Sequence, residues 1–196
     1  MDLDSSLLKA AQFCSPHIRT EAGASLSDGL EYLEHGEWEM VLLVLEELGD
    51  AHPQPPEFWD LLADAARVMW LESHVAWYEW RGSEARNGAL RAELCLVPTE
   101  EGGRKVPILP GKGLRPMWDV GQRTPEGELS VSIALLWVEG RTPLEPGECA
   151  PVRLLPLTPE HWRHLTPGDV ITMHEMRPPS GTARIVEVVP PVATVP

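Results

Sequence analysis

The sequence predicts an α+β protein: an N-terminal antiparallel helical bundle packed on a C-terminal closed antiparallel β-barrel. Three observations carry that prediction. Proline is confined to Pro53, Pro55 and Pro56 between residues 26 and 92, then becomes frequent after residue 97. Apolar residues recur at helical spacing in the first half and in short punctuated runs in the second. The charge also divides: residues 1–92 carry −11 of the total of −14, and residues 93–196 carry −3.

The helical half is read in order. Residues 3–13 suit a short helix, and residues 15–25 show no periodic pattern and read as linker. Leu26, Leu30 and Leu33 repeat at helical spacing up to His35-Gly36. Trp38, Val41, Leu42, Leu45 and Leu48 form the next stripe, stopped by Gly49-Asp50 and the prolines at 53, 55 and 56. Phe58, Leu61, Leu62, Ala65, Ala66 and Met69 form the clearest stripe, with Pro56 and Glu57 suited to its first turn. A fourth bundle helix is expected over residues 72–86, although Met69-Trp70-Leu71 contains no breaker to set its start. Asn87-Gly88 is a helix stop. The expected divisions are residues 1–25 as N-terminal helix and linker, 26–90 as acidic bundle, 91–190 as barrel and 191–196 as a loose tail. Two helical hairpins of this kind resemble a pair of tetratricopeptide units. They are too few to bury a core alone, so the barrel or the N-terminal helix must cap them.

In the second half the candidate strands are residues 90–97, 106–109, 117–120, 129–139, 152–157, 170–176 and 182–189. Pro-Gly pairs at 110–111, 146–147 and 167–168 mark turns between them. Closing the strands into a barrel removes exposed sheet edges. The order of three motifs is informative: Gly113-Leu114-Arg115-Pro116-Met117-Trp118, then Pro146-Gly147 ahead of Val152-Arg153-Leu154-Leu155-Pro156-Leu157, then Gly181-Thr182-Ala183-Arg184-Ile185. In this order they resemble the third, C-terminal β-barrel of translation elongation factor Tu, over roughly residues 93–190. The resemblance implies a closed barrel that docks on other macromolecules. It does not bring a GTPase with it, because Gly111-Lys112-Gly113 and Gly102-Gly103-Arg104-Lys105 both lack phosphate-loop spacing.

Composition excludes some classes of function. No apolar run reaches the roughly 20 residues that a membrane-spanning helix needs. The acidic Met1-Asp2-Leu3-Asp4 start is unlike a secretory signal, so cytoplasm is the expected compartment. Cys14, Cys95 and Cys149 are sparse and odd in number, and free thiols are expected of all three. Cys14 falls in a segment expected to be mobile. The net acidity disfavours nucleic acid.

Candidate site residues fall into three groups. Trp70, His74, Trp77 and Arg81 share one face of the fourth bundle helix, and Trp80 and Glu84 share another. The helix is therefore read as sandwiched between bundle and barrel, or as a Trp/Arg binding patch made by Trp77, Trp80 and Arg81. Arg115 and Trp118 are structural residues or the lining of an interdomain pocket, and Trp162 is a further partner- or ligand-binding candidate; Arg115 is expected to pair with an acid such as Asp119 or one on a helix. His161, His164 and His174, beside Glu160 and Glu175, are a metal-ligand candidate. Against it stands the reading of residues 159–162 as one helical turn across a barrel end, with the histidines exposed. No cofactor is expected, and no nucleophile–base motif is present.

The functional expectation is a non-enzymatic protein-binding module, namely an adaptor, regulator or immunity-type protein. Its partner is another protein, with a basic one best matched to the acidic face; no GTP and no membrane enter. The competing expectation is a small-ligand or metal-binding protein, or an enzyme, using the interdomain cleft. A translation-associated RNA binder is a third.

Overall fold

The computed structural model of the chain describes residues 3–111, 113–140, 142–175 and 179–192. They form two compact units. One comprises the chain up to Arg86 together with Pro191 and Val192, and the other runs from Asn87 to Pro190. Five helices lie in the first and a closed six-stranded antiparallel barrel in the second, an α+β protein.

The helices are α1 (Leu3–Ala11), α2 (Leu26–Glu34), α3 (Trp38–Ala51), α4 (Pro56–Val68) and α5 (Glu72–Asn87). Helix α2 starts at a capping box. The Ser25 backbone N–H donates to Asp28 Oδ2 at 2.7 Å, and the Ser25 hydroxyl accepts from the Asp28 N–H. These bonds satisfy donors that the first turn would otherwise leave open. Helix α4 starts with Pro56 in its first turn, where the missing N–H costs nothing.

The end of α4 differs from the usual pattern. The Trp70 N–H donates to the Arg67 carbonyl at 3.1 Å and the Leu71 N–H to the Ala66 carbonyl at 3.0 Å. This is a Schellman closure, whose left-handed position glycine normally fills. Here Trp70 fills it, at φ +59°. That explains why no breaker was visible before α5. It also takes Trp70 off the helix, so it does not share a helical face with His74, Trp77 and Arg81.

Residues 1–25, expected as helix and linker, contribute to the core. Leu7, Ala10 and Cys14 are buried with Leu42, Leu45, Phe58, Trp59 and Leu62. Helix α1 lies against α4 and supplies the cover that two hairpins need. Cys14 is therefore a packed thiol, contrary to the expected mobility. Burial pushes its pKa up to about 11.

The barrel strands are β1 (Ala89–Leu96), β2 (Met117–Arg123), β3 (Leu129–Val138), β4 (Cys149–Pro156), β5 (Val170–His174) and β6 (Gly181–Val189), ordered β1-β4-β3-β2-β5-β6 around the closed wall. Gly88, at φ +76°, turns the chain from α5 into β1. Inward positions alternate along the wall: Leu90, Ala92, Leu94 and Leu96 on β1 face a core with Leu136, Leu154, Ile171 and Ile185. Trp118 and Trp162 are the largest side chains inside, with ring centroids 6.4 Å apart and an edge-to-face tilt. Trp118 is paired in register with Ser132, and Ala134 is the next inward residue on β3. Small residues on β3 leave the volume that two indoles occupy.

Two expectations about this half change. Residues 106–109 form no strand; Ile108 makes an isolated bridge with Leu144. Pro107 and Pro110 remove the donors that a ladder would need. Cys95 and Cys149 are not free thiols: they are directly opposed in the β1–β4 register and joined by a disulfide with Cα atoms 4.0 Å apart. The expected strand end at residue 176 and tail residues 193–196 lie outside the described residues. In the part of that tail that is described, the Val192 N–H donates to the Ala85 carbonyl at 2.8 Å.

Alkylation of the native protein at mildly alkaline pH is expected to label no cysteine, and denaturation without reductant to expose Cys14 alone. Mass spectrometry reads both. Replacing Cys95 and Cys149 together by serine should cost about 2–4 kcal/mol in urea unfolding, because a 54-residue separation is no longer cross-linked in the unfolded chain. Trp118→Ala should cost about 3–5 kcal/mol by the same measurement, since its indole fills the barrel centre.

Candidate functional site

Helix α5 carries the aromatic and charged residues singled out above, and the structure places them in a paired network. The Trp77 indole N–H donates to Glu46 Oε1 and the Tyr78 hydroxyl to Glu46 Oε2, both at 2.9 Å. Glu46 lies on α3, so one carboxylate ties α3 to α5. Burial raises the Glu46 pKa, opposed by the Tyr78 and Trp77 hydrogen bonds. Tyr78 is fully buried, and burial together with the Glu46 charge raises its pKa well above the ordinary value.

Arg81 sits beside this pair. Its guanidinium lies 4.2 Å from the Trp59 ring centroid and 5.3 Å from that of Trp77. It pairs with Asp50, and its Nε lies 3.1 Å from Glu84 Oε2. Glu84 Oε1 accepts from the Trp80 indole N–H at 2.8 Å. Arg81 is 12% exposed and Glu84 7%. The polar atoms of Trp77, Trp80 and Arg81 are thus turned toward acids of this same unit.

The barrel candidates are dispersed. Arg115 is exposed, and the expected Arg115–Asp119 pair is not formed: Asp119 instead accepts from Arg123 Nη1 at 2.9 Å and from the Gly121 N–H at 2.8 Å. Burial works to raise the Asp119 pKa, but Arg123 and the Gly121 N–H outweigh it and hold the carboxyl below its ordinary value. Trp118 and Trp162 are buried inside the barrel, and neither indole N–H has a hydrogen-bond partner among the described residues.

The structure does not bring the three histidines into a ligand set. His161 Nδ1 lies 3.2 Å from Ser132 Oγ, and His164 Nε2 donates to the Val120 carbonyl at 2.7 Å. His174 sits on β5 opposite Met117. Among the described residues, no group of three or more His, Cys, Asp or Glu is placed to hold a metal ion.

The corner between α4 and α5 is a further candidate. Trp70 is 87% exposed, and among the described residues it is the one non-glycine residue at positive φ. Beside it opens a groove of about 460 Å³ lined by Arg67, Trp70, Leu71, Glu72, Val75, Ala76 and Glu79. Glu72, Val75, Ala76 and Glu79 lie at helical spacing on one face of α5, with an acid at each end and apolar side chains between. Arg67 on the rim is engaged twice, by Asp64 Oδ1 and Glu79 Oε1, each at 2.5 Å. In the sequence, Trp70 falls at helical spacing with His74, Trp77 and Arg81. The available signal was the absence of glycine or asparagine where α4 has to stop.

No protein-family model matches the chain, and no curated protein shows significant similarity to it. Among the described residues, no helix is long and apolar enough to cross a membrane.

Tyr78→Phe should cost about 1–2 kcal/mol in urea unfolding, because Glu46 then loses one of its donors. The raised pKa of Glu46 gives its pH dependence a definite sign. The folded state holds this proton more tightly than the unfolded chain, whose glutamate has the ordinary value of 4.5. The contribution of Glu46 to stability is therefore full below that value and declines as pH rises through the folded pKa. Relative to Glu46→Gln, the wild-type urea midpoint should fall across that window.

Proposed function

We propose that the chain is a non-enzymatic protein-binding module of the bacterial cytoplasm, acting as an adaptor, regulator or immunity-type protein. The observation that carries the reading is Trp70, held in solvent beside an apolar groove on the acidic helical unit. A large exposed aromatic at a conformation that disfavours it has a cost to folding, and such costs concentrate at functional positions. Tryptophan is also among the residues most enriched at binding hot spots. The residues up to 92 carry −11, which favours encounter with a basic protein.

The barrel supports the same reading through its resemblance to the third barrel of elongation factor Tu, a type that docks on other macromolecules. In a reducing cytoplasm Cys95 and Cys149 would stand as facing thiols on β1 and β4, so their oxidation state in cells also reports the compartment.

Affinity capture of the tagged chain from its native host lysate, with and without nuclease, is the direct test. The expected result is one stoichiometric protein that survives nuclease. A chain that elutes without partners in both conditions overturns the proposal.

A further inference from the structure

We propose that the α4–α5 groove receives a basic segment of the partner protein, with an apolar side chain on Val75 and Ala76 and a Lys or Arg stem over the Trp70 indole. The inference rests on the protein-binding reading above and adds the location and the chemistry of what is bound.

The occupant follows from charge and shape together. The floor of the groove is apolar, formed by Leu71, Val75 and Ala76, so it takes an apolar anchor. The two ends of that floor carry Glu72 and Glu79. The cation on the rim, Arg67, is already held by Asp64 and Glu79 and so offers little to an acidic ligand. An incoming anion would meet carboxylates; an incoming cation would meet Glu72 and the face of an open indole. The Trp70 indole makes no hydrogen bond, ion pair or ring contact with any described residue and stays 87% exposed.

The backbone of Trp70 is the second, independent observation. A Schellman closure needs a left-handed residue, and glycine or asparagine supplies it without crowding. Tryptophan at φ +59° makes the same two hydrogen bonds with a side chain that the conformation disfavours. The indole buries almost nothing in exchange. A residue that is poor for the turn and idle in the core is explained by what it touches from outside.

A random twelve-residue peptide library panned on the full chain, with the Trp70→Ala chain as counter-selection, tests the proposal. The expected winners are net-positive peptides with Lys or Arg flanking a large apolar residue. Their affinity should fall at least about tenfold on Trp70→Ala, and measurably on Glu72→Lys and with added salt. Trp70→Gly supplies a readout that a structural role would not give: its melting temperature should equal or exceed wild type while peptide binding is lost. Acidic or neutral winners, winners that bind Trp70→Ala equally, or no enrichment would each overturn the inference. So would a clear loss of melting temperature in Trp70→Gly. Capturing partners with the Trp70→Ala chain separates the two levels. A stoichiometric partner retained by that variant leaves the adaptor reading standing and removes the groove from it, whereas a chain that captures nothing in either form removes the adaptor reading itself.

Discussion

Strand β1 has to satisfy both of its edges, and the rest of the barrel is arranged around that requirement. It pairs with β4 on one side and β6 on the other, although neither is its neighbour in sequence. Without both pairings the wall would end in two open ladders of unpaired N–H and C=O groups. The ladder to β6 shifts register between Arg91 and Ala92, a bulge that helps a short strand turn around a small barrel. Arg91 then reaches Glu139 at 3.2 Å and Glu187 at 3.4 Å, with acids on both flanks. The disulfide to Cys149 secures the far end of the same strand.

Inside the wall, closure leaves a fixed volume, and two indoles fill it because β3 contributes serine and alanine. The helical unit solves a different problem. It joins α3 to α5 with a partly buried carboxylate, and Glu46 meets its desolvation by accepting from two aromatic donors. Arg81 then covers Trp59 and Trp77 and is neutralised by Asp50 and Glu84. The residues that gave α5 the look of a binding patch thus have their polar atoms committed within the unit, while the Trp70 indole, seven residues before Trp77, remains in solvent.

Much of the architecture was legible because it depends on local periodicity. The apolar stripes of α3 and α4, the Asn87-Gly88 stop and the Pro-Gly turns all act within a few residues of themselves. What was not legible depends on partners far away in sequence. Glu46 is separated by about thirty residues from the aromatics that it binds, so nothing local distinguishes Trp77 in a network from Trp77 on a surface. Cys95 and Cys149 become neighbours only through the β1–β4 register, which sequence spacing does not reveal. The apolar run at 106–109 looked like a strand until its prolines were counted as missing donors. Trp70 was obscured for a local reason: the turn is built from backbone hydrogen bonds that any residue can supply, and the residue used here is not one associated with stopping a helix.

The hydrogen bond from Val192 back to Ala85 has a topological consequence. The chain leaves the helical unit once, after Arg86, and returns to it at Pro191. Between those points it completes the barrel, whose first and last strands are paired at Ala89 and Val189. The barrel is therefore an insertion whose entry and exit lie side by side. A short connector between Ala89 and Val189 would therefore close the barrel on itself, as circular permutation requires.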